Sequence, residues 1–204
     1  MDIHYHINDI PAGLDWGDSI AIDTETLGLK PHRDRLCVVQ ISKGDGQCHL
    51  VHFPPKGDYS APNLKKLLSD QSITKIFHYA RFDLATLDQY LGVMCTPTYC
   101  TKVASKLART YTDRHGLRDL CNTILGVDIS KQQQTSDWGA ENLTDAQKEY
   151  AATDVLYLHK LRDKMTAALK RDGRWEEAQA CFEFLPVRAK LDLMGFEDVD
   201  IFIH

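Results

Sequence analysis

Asp23 and Glu25 stand two residues apart at the end of the run Ser19-Ile20-Ala21-Ile22, which Gly28 closes. Along an extended chain, residues i and i+2 share a face, so both carboxylates point into one volume. Two such charges repel, and each favours its protonated form unless a cation lies between them. An edge strand carrying two solvated acids would account for the pair equally well, so further residues must decide. Asp83, in HYARFDLATL, follows a short apolar strand and opens a helix, a position that the helix dipole alone would explain. Tyr150 and Asp154, in YAATD, are i and i+4 and share one helix face with Ala151, Val155 and Leu158. An aspartate on a core-facing stripe calls for a cation or a hydrogen-bond donor.

Four carboxylates offer oxygen ligands only, which suits hard cations such as Mg²⁺ or Mn²⁺ and not structural zinc. Two cations about 4 Å apart would clamp the attacking and leaving oxygens of a phosphodiester. In that arrangement Asp23 bridges both cations. Glu25 and Asp154 complete the one that activates water, Asp83 holds the other, and the Tyr150 hydroxyl orients the attacking water. Use of Tyr150 as a proton acceptor would require a strongly lowered pKa.

The elements that must position these groups are legible in outline. Strands are expected at Ile3–Ile7, Ile20–Asp23, Leu36–Ser42, Cys48–Phe53 and Thr74–His78, the third and fourth joined by a Lys43-Gly44-Asp45-Gly46 turn. Helices are expected at Asn63–Leu68, Phe82–Leu91 (stopped by Gly92), Thr98–Ala108 and Gly116–Leu125. Residues 129–142 read as a loop. Thr144 and Gln147 form a capping box that opens a helix running past Asp154 to about Arg171. A last amphipathic helix spans Trp175–Leu193, bent or broken at Pro186. Early strands followed by helices imply an α/β fold with a mixed sheet.

At 204 residues, with 43% apolar residues, the chain can bury a core of its own and is expected to form a single domain. No stretch is apolar for long enough to span a membrane as a helix, and the N-terminus has no secretory pattern. The six cysteines form no CxxC pair and read as reduced thiols, mostly buried, in a cytoplasmic protein. The net charge of −5 argues against an electrostatic grip on long nucleic acid, while Lys102, Lys106, Arg109, Arg114 and Arg118 form a local basic segment. There is no phosphate-cradling Gly-rich loop, no GxSxG and no HExxH.

The set Asp23-x-Glu25, Asp83 after HxxxF, and Tyr150-x3-Asp154 resembles the three motifs of the tyrosine branch of the DEDD exonuclease superfamily. The passage KQQQTSDWGAENLTDAQKEYAATDVLYL closely resembles ribonuclease D. The resemblance covers about residues 18–165, in the right order, and three spaced motifs are far more specific than one. It implies a ribonuclease-H-like fold, two divalent cations, and 3′→5′ hydrolysis to nucleoside 5′-monophosphates. The residues after about 166 read as C-terminal helices with no accessory RNA-binding domain, a departure from ribonuclease D. The compact form resembles the nanoRNase C family. That likeness implies short single-stranded RNA oligonucleotides as substrate, DNA being an alternative, and a homo-oligomeric, octameric ring. Trimming of structured RNA and an inactive nucleic-acid-binding scaffold are the competing readings.

A short substrate must be gripped by its bases and ends. Leu29 lies where similar oligoribonucleases carry a leucine that wedges between two bases, although a core leucine would fit the same sequence. His78 and Tyr79 are placed to reach the 3′-terminal ribose or stack on a base; Phe82 reads as core. Gln134, Ser136 and Trp138 belong to the ribonuclease-D-like loop, expected to fold over the site. Lys102, Arg114 and Lys131 are candidates for a terminal phosphate.

Overall fold

The computed structural model describes residues 1–130 and 132–203. Six strands form one sheet: β1 (Asp2–Ile7), β2 (Ser19–Thr26), β3 (Leu36–Ser42), β4 (Gln47–His52), β5 (Thr74–Phe77) and β6 (Thr98–Cys100). Their order is β1-β4-β3-β2-β5-β6. Only β3 runs against its neighbours; the β1–β4, β2–β5 and β5–β6 pairs are parallel. The expected mixed α/β sheet is therefore present, in a ribonuclease-H-like arrangement.

Every residue of β3 is buried, as a central strand covered on both faces requires. Helices α1 (Pro62–Ser69), α2 (Ala80–Leu91), α3 (Thr101–Ala108), α4 (Leu117–Leu120), α5 (Asp145–Leu156), α6 (Leu158–Arg171) and α7 (Trp175–Leu191) complete the chain. α5 packs over β2, β3 and β4, while α2 packs against β2, β3, β5 and β6 and is itself covered by α7. The two helices that carry functional acids thus both press on β2.

Several expected elements change shape. Thr98–Cys100 is a strand, because these residues extend the sheet beside Lys75–Phe77 before the helix begins at Thr101. An apolar triplet of this kind reads equally as the first turn of the helix that follows it. The helix predicted through Asp154 to Arg171 divides at Tyr157, whose backbone (φ −103°, ψ −6°) leaves the regular helix. Leu117–Leu120 widens into a π-helical turn at Cys121–Leu125, ended by left-handed Gly126. Pro186 lies inside α7, which continues past it to Leu191; a second π turn, Asp192–Phe196, follows. All six cysteines are free thiols, five of them buried.

The basic segment divides too. Arg109 is buried and donates to the Arg114 carbonyl at 2.9 Å and to Thr123 Oγ1 at 3.2 Å, so it is an internal brace and not part of a surface patch.

Candidate active site

β2 delivers the first two acids, and the register of its pairing with β3 shifts between Glu25 and Thr26. Such a bulge twists a strand end and re-aims its side chains. Asp154 arrives from the last turns of α5. Among the described residues, one oxygen from each of Asp23, Glu25 and Asp154 lies within 4.8 Å of the other two. Asp83 stands apart from this trio. It is buried at 3% exposure, and its Oδ1 accepts a 2.7 Å bond from Thr24 Oγ1, on the residue between Asp23 and Glu25.

The electrostatics match an incomplete charge balance. Burial, then the charges of Asp83, Asp154 and Glu25, hold the Asp23 carboxyl well above the usual range. Glu25 is raised by burial, then by Asp154 and Asp83. Burial pushes Asp83 and Asp154 up to about 7, opposed by hydrogen bonds from Thr24 and Tyr150 respectively. No arginine or lysine is paired with any of the four among the described residues. Like charges gathered out of water, all oxygen donors, fit one or more hard divalent cations.

Burial and the neighbouring Asp154, Glu25 and Asp23 raise the Tyr150 hydroxyl above its ordinary value. The strongly lowered pKa that a proton acceptor would need is therefore absent, and Tyr150 is a neutral phenol that can accept or donate a hydrogen bond.

Asp23, Glu25, Tyr150 and Asp154 line a cleft of about 630 Å³, with Asp83 behind its wall. Leu29, His78, Lys102, Gln134, Ser136 and Trp138 line it as well. Leu29 is 81% exposed at the rim, which excludes a core role. The turn behind it is tight: a Cβ on Gly28 would fall 2.4 Å from Asp34 Oδ2, the atom that accepts from the Lys30 amide at 2.9 Å. Phe82, read as core, is half-buried and forms part of the cleft wall. His78 shares a 2.9 Å hydrogen bond with Thr101 Oγ1, and burial with nearby Lys102 pushes its imidazole down to about 3, so it is neutral.

Two expected groups lie elsewhere. Tyr79, at φ 75°, turns toward a neighbouring cavity of about 400 Å³ that shares Leu29 and Phe82 with the cleft; Lys102 Nζ sits 4.1 Å from its ring centroid. Arg114 is exposed and does not line the cleft, although Gly116, Leu117 and Arg118 do. Lys131 lies outside the described residues.

Some contributors were not singled out from sequence. Thr24 is the residue that holds Asp83, and alternation within Asp23-Thr24-Glu25 would have pointed it away from the acid pair. Arg118, read from sequence only as part of the basic segment, lines the cleft while paired to Asp128 at 2.9 Å. Gln147 does more than cap: its Nε2 donates to Ser136 Oγ at 3.1 Å and to the Asp137 carbonyl at 3.0 Å, while its Oε1 accepts from the Thr144 amide at 2.9 Å. It thereby fastens the 132–142 loop to the helix that carries Tyr150 and Asp154. Trp138, 2% exposed, packs 6.0 Å from the Tyr150 ring.

Comparison with known proteins agrees with this geometry. The family model described as 3′-5′ exonuclease matches residues 7–170. The chain is 57% identical to the solved Brucella melitensis NrnC with bound Mg²⁺, all of each chain being covered at a TM-score of 0.95. It is 58% identical to Brucella melitensis NrnC bound to pGG, covering 100% of this chain and 99% of that one, with a TM-score of 0.96. Ribonuclease D of Acidiphilium cryptum is 33% identical over 155 residues, 76% of this chain and 39% of that protein. The chain thus spans about two-fifths of the length of the ribonuclease D relatives it matches.

Proposed function

The chain belongs to the 3′-5′ exonuclease family, and from that premise we propose that it degrades short oligonucleotides from the 3′ end to nucleoside 5′-monophosphates. The observation that carries the reading is the convergence of Asp23, Glu25 and Asp154, unneutralised, in a cleft whose 630 Å³ lies within the span of about 300–1,000 Å³ usual for small-ligand sites. The 58% identity to a protein solved with pGG supports a substrate of dinucleotide size.

Asp23, Glu25 and Asp154 would hold one divalent cation, Mg²⁺ or Mn²⁺, and Asp83, with Asp23, a second. Bound there, such cations polarise the phosphodiester and lower the pKa of water. The chain's own residues do the rest. Tyr150, neutral and packed against Trp138, orients the attacking water by hydrogen bonding and does not take its proton. Leu29 meets a base at the rim, neutral His78 contacts the terminal sugar, and Lys102 offers charge to a phosphate. Gln147 keeps the loop bearing Gln134 and Ser136 over the cleft. RNA is the proposed substrate, and a homo-oligomer the proposed assembly. The exposed apolar side chains of Met194, Phe202 and Ile203 suit burial against a second copy; light scattering should read a multiple of the 23.2 kDa chain.

A length series tests the function. Purified protein with Mn²⁺ is given 5′-labelled RNAs from dimer to about twenty nucleotides, with matching DNAs, since length choice reports site geometry. Preferential loss of the shortest RNAs is expected. Equal processing of long RNA with stalling at short products would replace this reading by ribonuclease-D-like trimming.

A further inference from the structure

One buried polar side chain takes no part in anything described so far. Gln40, at the middle of β3, has no solvent exposure, and its flanking residues Val39 and Ile41 are apolar. Among the described residues, Gln40 is the one side chain whose polar atoms, Oε1 and Nε2, are both buried and both without a hydrogen-bond partner. An amide buried in this way costs stability that an aliphatic side chain of similar size would not. Such a group in a folded core calls for a reason.

Its place in the sheet supplies one. The β2–β3 register sets Gln40 directly opposite Asp23. Directly opposed residues on antiparallel strands point to the same face, with Cβ atoms about 4.5–5.5 Å apart. The three-carbon arm of glutamine spans that gap, directly or through one buried water. Gln40 is thus the cross-strand neighbour of the acid at the centre of the site, on the sheet face that α5 covers.

We propose that Gln40 is a positioning residue for Asp23. Unpartnered in the metal-free fold, its amide donates, once a divalent cation is bound, to the carboxylate oxygen lone pairs that face away from that cation, and so fixes the orientation in which Asp23 serves as ligand. An ionised carboxylate offers about four lone-pair sites and no donor, so a cation on one side leaves the other side in need of N–H groups. The Asp23 carboxylate also accepts from the Thr24 backbone amide, which leaves room for a second donor. Groups in this outer position orient ligands and sharpen metal affinity without touching the metal. The inference rests on the cation-binding reading of Asp23.

Gln40→Met replaces the amide with an apolar arm of matching length, and Gln40→Leu is a second apolar replacement should the first pack poorly. Each full-length protein, freed of metal by chelation, is titrated with Mn²⁺ alone in a calorimeter, and its metal-free Tm is measured. The expected result is Mn²⁺ affinity weakened about tenfold with Tm unchanged or a few degrees higher. In turnover of a diribonucleotide, kcat falls while KM holds. Wild-type binding of Mn²⁺ matched by both variants overturns the inference alone. Affinity lost only together with a large fall in Tm overturns it as well, because a damaged fold then accounts for the loss. Wild-type protein that takes up no Mn²⁺ overturns the cation reading and this inference with it.

Discussion

Two regions of the molecule take charge out of water, and they do it in opposite ways. In the cleft, Asp23, Glu25 and Asp154 crowd together with no basic partner among the described residues. At the C-terminal turn, Asp192 is clamped between two arginines. Arg81 donates to it at 2.5 and 2.8 Å, and Arg188 at 2.6 and 2.9 Å. The same arginines also bond the carbonyls of Glu197 and Phe196. The clamp is neutralised internally and holds a chain segment against α2; the cleft leaves its balance to a cation. Charge that is completed by the fold serves the fold, and charge left incomplete is available for chemistry.

The largest test of that contrast exchanges one aspartate in each region. Asp23→Ala removes the acid that faces all the others. Hydrolysis of a diribonucleotide with Mn²⁺ should be abolished, while the metal-free Tm holds or rises because a repulsive buried charge is gone. Wild-type turnover from a preparation free of contaminating nuclease would break the assignment. Asp192→Asn should do the reverse. Removing the charge from a partly buried ion cluster costs about 2 kcal/mol, between the values for exposed and buried pairs, which in a chain of this size lowers Tm by roughly 4–8 °C. Turnover per folded molecule should survive. An Asp192→Asn protein that melts like wild type would show that the clamp contributes geometry and no stability.

The two regions also differed in how far the sequence revealed them. The acids were legible because strand alternation and helix spacing are local rules: Asp23 with Glu25 and Tyr150 with Asp154 each share a face by counting residues. The capping box at Thr144 and Gln147 was legible for the same reason. The clamp joins Arg81 to Asp192, 111 positions apart, and no local pattern announces that meeting. Gln40 was invisible for a related reason. LCVVQIS reads simply as a strand until the register with β2 is known. Thr98–Cys100 was lost to the helix that follows it because three residues are too few to display a period. Leu29 was undecided between core and rim, since only the fold of the Gly28–Asp34 turn fixes which way it faces.

The smallest expected effect concerns pH, and it separates the cleft from everything else that titrates. Burial holds Asp83 and Asp154 at about 7 in the folded protein against an ordinary value of 3.8. Between those values the native state binds more protons than the unfolded chain, so each group makes the metal-free protein less stable as pH rises toward about 7. Among the described residues, five histidines oppose this, His6, His49, His52, His78 and His159, all lowered chiefly by burial. His78 is held down to about 3 and His49 to about 4, so each favours the fold increasingly as pH rises toward 6.5. Asp23 and Glu25, raised as well, act in the same direction as Asp83 and Asp154. Replacing Asp154 by Asn removes one acid and leaves every histidine, so the difference between the two proteins isolates the cleft. One proton contributes at most about 1.4 kcal/mol per pH unit, so the Tm of metal-free Asp154→Asn should gain on wild type by a few degrees between pH 5 and pH 7.5. Saturating Mn²⁺ should remove the wild-type side of that trend, because the cation supplies the charge that the proton otherwise provides. A gap between the two Tm values that stays constant with pH would mean that Asp154 is ionised in the metal-free fold, and that the cleft tolerates its charges without a cation.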